Sequence, residues 1–104
     1  MREGRVIRGW FGVSIQQLSP AVREGLDIPP GEAGALVADV YKGQPAQRAG
    51  MKRGDVIVAI NGQPVRSTNE LRNIVASLRP GRGVEVVVLR DGRRVTLRVK
   101  VGER

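Results

Sequence analysis

Gln44-Pro45-Ala46-Gln47-Arg48-Ala49-Gly50-Met51-Lys52-Arg53-Gly54-Asp55-Val56-Ile57-Val58-Ala59-Ile60-Asn61-Gly62 is the stretch from which the fold can be read. Lys42-Gly43-Gln44-Pro45 is a turn, and Ala46 to Ala49 make one helical turn that Gly50 closes. Met51-Lys52-Arg53-Gly54 is a second turn. Asp55 leads into Val56-Ile57-Val58-Ala59-Ile60, a continuous apolar run of strand length and high β-branched content. That pattern predicts a strand buried on both faces. Asn61-Gly62 is the strongest short hairpin signal, since both residues accept positive φ. Gln63-Pro64-Val65 follows as a short, edge-like strand, because Pro64 has no N–H to give a ladder.

Upstream, Ala35 to Tyr41 reads as a strand with Leu36, Ala38 and Val40 on one face and Val37, Asp39 and Tyr41 on the other. Pro29-Pro30-Gly31 and Glu32-Ala33-Gly34 are irregular. Ser19-Pro20 is a helix start, a Ser N-cap before a first-turn proline, and Gly25 ends that short helix. Before it stands Gly9-Trp10-Phe11-Gly12-Val13-Ser14-Ile15, with Trp10 and Phe11 between glycines, running into alternating Val13, Ser14, Ile15 and Gln16. This reads as a flexible loop feeding a half-buried strand to about Gln17. A loop of this kind can aim successive backbone N–H groups at an anion. Met1 to Arg8 is charged and aperiodic, a linker or arm.

Downstream, Ser67 or Thr68 caps the best helix, with Glu70 at capping-box spacing from Ser67. Leu71, Ile74, Val75 and Leu78 form one apolar stripe, and Pro80-Gly81 stops the helix. Val84 to Arg90 and Arg93 to Val101 flank Asp91-Gly92, a second two-residue hairpin. Val95, Leu97, Val99 and Val101 alternate with Arg94, Thr96, Arg98 and Lys100, so this strand has one wet face. The predicted architecture is mainly β with helices (α+β). It is a partly open antiparallel β-barrel or sandwich, capped by one longer helix and one or two short ones. Residues 1–8 are an arm, 9–101 one domain and 102–104 a tail.

The chain has 104 residues, enough for one modest core. It has neither cysteine nor histidine. A Ser-His-Asp triad therefore cannot be built from it, and the commonest metal ligands are missing. No catalytic residue, metal site or cofactor is predicted. Ser67 and Thr68 are better explained as caps, and a Ser–Lys pair has no spacing to support it. Asp39 and Asp55 as paired carboxylates are weaker than Asp55 as a strand opener. The glycines form no Walker or dinucleotide fingerprint.

Eighteen basic and 10 acidic residues leave a net charge of +8. The basic residues are spread from Arg2 to Arg104 and only three aromatics accompany them, which argues for a solvated basic surface and against nucleic acid. No apolar run reaches the roughly 20 residues of a membrane span, and no signal-peptide pattern is present. A peptide partner fits better. An open strand edge is a template for another strand, and an amphipathic helix beside it supplies the second wall of a groove. The stripe can serve core and groove together, with at least two of its four residues in the core alone.

These residues resemble the PDZ family. Gly9-Trp10-Phe11-Gly12-Val13 is similar to its carboxylate-binding loop, and Gln44 to Ile57 resembles its P-A-x-x-A-G-[apolar]-x-x-G-D-x-I segment, continued by Val58-Ala59-Ile60-Asn61-Gly62. The resemblance runs from about Arg8 to Val101. The loop stands first and a hairpin strand last, the permuted bacterial order. Arg8-Gly9-Trp10-Phe11-Gly12-Val13, Leu18-Ser19-Pro20, Gly34-Ala35-Leu36-Val37 and Leu89-Arg90-Asp91-Gly92 are most similar to the first PDZ domain after the protease domain of HtrA/Deg-type serine proteases.

The resemblance implies a peptide-binding module, with no activity of its own, that presents substrate and in some members relays activation within a periplasmic or envelope quality-control endopeptidase, oligomeric in its full-length form. Its partners would be polypeptide C-termini or exposed apolar segments. By position, the N–H groups of Phe11, Gly12 and Val13 would receive the carboxylate. Val13, Ser14, Ile15 and Gln16 would pair with the peptide. Phe11, Val13, Ile15, Leu71, Ile74, Val75 and Leu78 would line the pocket. Arg8 would add charge, and Trp10 either packs on the core or shields the carboxylate. Thr68-Asn69-Glu70 carries no histidine, so an apolar last residue is expected rather than selection for a hydroxyl upstream. Two alternatives stand beside this: the PDZ domain of an intramembrane metalloprotease or a C-terminal processing protease, and a basic nucleic-acid module.

Overall fold

The computed structural model describes residues 9–25, 28 and 33–103. The expected arm at 1–8 lies outside them, with Arg8, as does Pro29-Pro30-Gly31. The central strand, β4 (Val56–Ile60), is buried on both faces as its apolar run predicts. Ile57 and Ile60 face the main core, while Val56 and Val58 face a smaller cluster with Leu89 on the other side of the sheet. An irregularity between Ile57 and Ala59 coincides with the change of phase that puts Ile60 on the same face as Ile57, where strict alternation would put it opposite.

Every strand pair is antiparallel. The main sheet runs in the order β2 (Val13–Gln17), β3 (Ala35–Val40), β4, β6 (Gly83–Arg90), β7 (Arg93–Lys100), with β5 (Gln63–Pro64) paired to β4 off this path. It is an open sheet with β2 and β7 at its edges. Both predicted hairpin turns form. Asn61 and Gly62 take φ of 50° and 79°, and Asp91 and Gly92 take 52° and 76°, so both central residues are left-handed as the tightest two-residue turns require. Asn61 also accepts from the Glu85 N–H through Oδ1 at 2.9 Å, tying its turn to β6.

The predicted face assignment of β3 holds only in part. Ala35 and Val37 are fully buried in the main core, but Val40 joins them there instead of staying with Leu36. The cause is a bulge: Ile15 pairs with Val37 and Ser14 with Asp39, which leaves Ala38 without a partner and shifts the alternation by one.

Among the described residues three helices close the structure. α1 (Pro20–Gly25) is capped by Ser19, whose Oγ accepts from the Val22 N–H. α2 (Pro45–Arg48) is one turn, and Gly50 leaves it at φ 93°. α3 (Thr68–Ser77) is capped by Ser67, whose Oγ accepts from the Glu70 N–H at 3.1 Å. Glu70 reaches back to the Arg66 N–H at 2.7 Å, one residue further than the simple capping box.

The expected tail is structured at its first two residues. Gly102–Glu103 forms β8, paired with β1 (Gly9–Trp10) in a separate two-stranded sheet. Close packing explains this. A side chain at Gly102 would run into the ring of Pro45, and one at Gly9 into the Val75 and Leu78 carbonyls of α3. Two glycines therefore let both ends of the domain lie against its helices.

Candidate functional site

β2 presents one side to β3, and no strand takes its other side among the described residues. α3 runs beside that free edge. Between them lies a cleft of about 480 Å³. One wall is Gly9, Trp10, Phe11, Gly12, Val13, Ser14 and Ile15; the other is Leu71, Arg72, Asn73, Val75 and Ala76. A cleft of similar volume, about 490 Å³, sits near Asp55 and Arg90, lined by the 52–54 and 91–92 turns and the adjoining ends of β4 and β6. It offers neither a strand edge nor a helix wall, so the β2–α3 cleft is the candidate site.

The loop at the head of β2 is held from behind. The Phe11 carbonyl accepts from the Ala46 N–H and the Gly12 carbonyl from the Tyr41 N–H, both at 2.9 Å. In a trans peptide the carbonyl and the next N–H point opposite ways. The N–H groups of Gly12 and Val13 are thus turned away from the 41–46 segment. The N–H groups of Phe11 and Gly12 donate no hydrogen bond among the described residues. Gly12 takes φ of 82°, and a side chain there would collide with that of Gln44. Both the backbone conformation and the close approach demand glycine.

Trp10 has a definite environment. Its Nε1–H donates to Gln44 Oε1 at 3.0 Å, and its ring stacks on Tyr41 with centroids 6.4 Å apart and an interplanar angle of 23°. It is half-buried and lines the cleft. The indole links the loop to the 41–44 turn at the edge of the cleft.

Of the remaining sequence-predicted residues, Phe11, Gly12, Val13, Ser14, Ile15, Leu71 and Val75 come together at the cleft. Gln16 lies on the edge strand but outside the cleft walls, exposed. Ile74, 8% exposed, belongs to the core, and Leu78 packs against that core at the helix C-cap; neither lines the cleft. All four thus lie in or against the core, Leu71 at 2% exposed, and Leu71 and Val75 line the groove as well. Sequence reasoning missed Arg72, Asn73 and Ala76 on the outer shoulder of α3. Helical spacing could have found them, because the positions next to Leu71 and Val75 on the helix surface must flank any groove those two line. At the far end, Gln17 Oε1 accepts from both the N–H and the Oγ1 of Thr68, at 3.2 and 3.1 Å, so side chains tie β2 to the start of α3.

Asp55 is more than a strand opener. It is buried, 1% exposed, and receives Arg90 Nε on Oδ1 at 2.9 Å and Arg90 Nη2 on Oδ2 at 2.7 Å. The Lys52 N–H also donates to Oδ2, and Arg90 Nη2 donates to the Gly50 carbonyl. Hydrogen bonding to Asp55 raises the Arg90 pKa above the ordinary arginine value against a smaller opposing effect of burial. Asp39 is exposed and accepts from the Val40 N–H, so the two carboxylates have separate structural roles. Among the described residues no cluster of three or more potential metal ligands occurs. What the cleft can do is accept an extended chain: backbone pairing along β2, an anion at the loop, and apolar side chains against Leu71 and Val75.

Comparison with known proteins gives the same outline. Residues 9–101 match the family model of the PDZ domain. A probable periplasmic serine endoprotease, DegP-like, of Rhizobium meliloti (strain 1021) is 40% identical over 102 residues, covering 98% of this chain and 20% of that protein. Its counterpart in Pseudomonas savastanoi pv. phaseolicola is 45% identical over 101 residues, covering 95% and 20%. The chain spans about a fifth of the length of these curated relatives. Among solved structures, the HtrA-type protease AlgW with decapeptide superposes with a TM-score of 0.88 at 43% identity, over 98% of this chain and 31% of that one. The HtrA3 PDZ domain bound to a phage-derived ligand (FGRWV) shares the fold, with a TM-score of 0.78 at 23% identity over 94% of this chain and 89% of that one. Match, fold and site geometry agree: the chain belongs to the PDZ domain family.

Proposed function

We propose that this PDZ domain captures polypeptide C-termini, or exposed apolar segments, by adding them as a strand to β2, and that it does so as the recognition module of an HtrA-type serine endopeptidase of the periplasm or cell envelope. The observation that carries the reading is the free edge of β2, headed by the Phe11–Gly12 loop and walled by Leu71 and Val75. Strand addition supplies sequence-independent hydrogen bonds, and the apolar wall supplies preference for an apolar last side chain. The likeness to AlgW, a structure of which contains a decapeptide, supports the mode of binding. The likeness to DegP-like periplasmic endoproteases supports the parent and its compartment. Affinity is expected on the order of micromolar, since one short strand and one anchor must offset the ordering of a free chain end.

Amide chemical-shift mapping with an apolar-ended decapeptide tests the site. Shifts concentrated on Phe11 to Gln17, Leu71 and Val75 are the expected result; shifts centred elsewhere contradict it. The parent is tested by the coding sequence around this segment. A trypsin-like domain upstream agrees with the reading, and zinc-motif membrane spans contradict it.

A further inference from the structure

A second cleft, of about 440 Å³, lies between α2 and the end of β7. Pro45, Ala49 and Val101 give it an apolar floor, and Arg48, Arg98 and Lys100 rim it. It shares no lining residue with the β2–α3 cleft. No acidic residue lines it, and none of its three cations forms an ion pair among the described residues, where the Asp55–Arg90 pair is the only salt bridge. Glu85 stands opposite Arg98 in register without pairing to it. The Arg98 side chain passes over Gly83 of β6, where a Cβ would be in ordinary contact with its Nε at 3.4 Å. β7 is the second edge of the sheet, so the cleft runs beside a strand with one side unpaired among the described residues.

We propose that this cleft docks an extended acidic polypeptide segment, with Asp or Glu carboxylates on Arg48, Arg98 and Lys100 and the intervening apolar atoms on Pro45, Ala49 and Val101. Arginine favours this partner because its planar fork matches a carboxylate. A second copy of the chain is a poor occupant, since each copy carries a net charge of +8. A membrane is disfavoured because Tyr41, outside the cleft, is the only exposed large hydrophobic side chain among the described residues. Free phosphate is disfavoured because α2 offers it no backbone cradle. Pro45 has no N–H, and those of Arg48 and Ala49 are bound to the Gln44 and Pro45 carbonyls.

The test titrates the 104-residue chain with a ten-residue peptide of alternating Asp/Glu and apolar residues, amidated at its C-terminus so that it presents no terminal carboxylate. Anisotropy is read at low and at physiological salt, and amide shifts map the site. The proposal expects shifts on Arg48, Ala49, Arg98, Lys100 and Val101, and affinity that falls with salt. It expects at least a tenfold loss in the R98E/K100E variant. It expects no such loss in R53E/R79E, which changes net charge equally, and neither variant alters binding of an apolar-ended peptide at β2. Absence of binding at low salt overturns it. So does equal weakening in both variants, which marks a net-charge effect, or tighter binding of anionic phosphatidylglycerol vesicles or inorganic phosphate than of the peptide.

Discussion

Trp10 donates its indole N–H to the side-chain carbonyl of Gln44, 3.0 Å away across 34 residues of sequence. The bond joins the loop at the head of β2 to the turn before α2. Two backbone bonds, from Tyr41 to Gly12 and from Ala46 to Phe11, join the same segments. The candidate carboxylate loop is thus braced before any ligand arrives. Such bracing lowers the ordering cost of binding. Gln44→Ala is therefore expected to weaken binding of an apolar-ended peptide several-fold while leaving the melting temperature within a few degrees of the parent. Isothermal titration and thermal unfolding measure the two. Unchanged affinity would show that the loop needs no such brace.

Gly12→Ala is expected to lose both stability and binding. The left-handed backbone alone costs an L-residue roughly 1–2 kcal/mol, and the collision with Gln44 adds to it. Denaturant unfolding reads the first loss and peptide titration the second.

Arg90→Ala is expected to destabilise the domain by about 3–5 kcal/mol, because it leaves the Asp55 carboxylate buried and unpaired. Replacing both residues by apolar ones of similar volume is expected to cost less than that single change. The pH dependence follows from the sign of the shift. The folded pKa of Arg90 is raised, so its contribution is fully present below the unfolded arginine value and is lost only as pH climbs through the higher folded one. Titration of Arg90 therefore causes no loss of stability on the alkaline side until beyond the ordinary arginine range. Chemical denaturation of the parent and of Arg90→Ala at neutral and moderately alkaline pH checks this: the difference between them is expected to hold constant.

Val75→Glu and Ile15→Asp place a charge in the groove on half-buried positions. Each is expected to reduce peptide affinity at least tenfold while the fold persists, as judged by circular dichroism. Ile74→Glu makes the contrast. Ile74 is core, so its charged variant is expected to unfold the domain, a charge without a partner being far costlier there.

Most of the framework was legible because it rests on local chemistry. Asn61-Gly62 and Asp91-Gly92 allow few other conformations, and Val56 to Ile60 has no polar face to turn outward. The limits of legibility are contacts distant in sequence. The bulge that frees Ala38 depends on how β2 meets β3, and neither strand announces it. Asp55 reads as a strand opener until Arg90, 35 residues later, folds onto it. At the site, the apolar stripe of α3 named four candidates, but knowing that Leu71 and Val75 line the groove as well as packing on the core requires knowing which way the helix lies on the sheet. Trp10 lacked a role in the sequence because Tyr41 and Gln44, which hold its ring, come after β3 in the chain.

We propose that the loop at Phe11–Val13 receives a chain-terminal carboxylate at the head of the β2 groove. Trp10 is the only tryptophan and lines that groove, so its emission reports occupancy directly. One decapeptide with an apolar last residue should be titrated twice, with a free and with an amidated C-terminus, following Trp10 fluorescence. Saturable binding of the free form and at least tenfold weaker binding of the amide are expected, the loss of a charge-assisted hydrogen bond. Equal affinity for the two would contradict it.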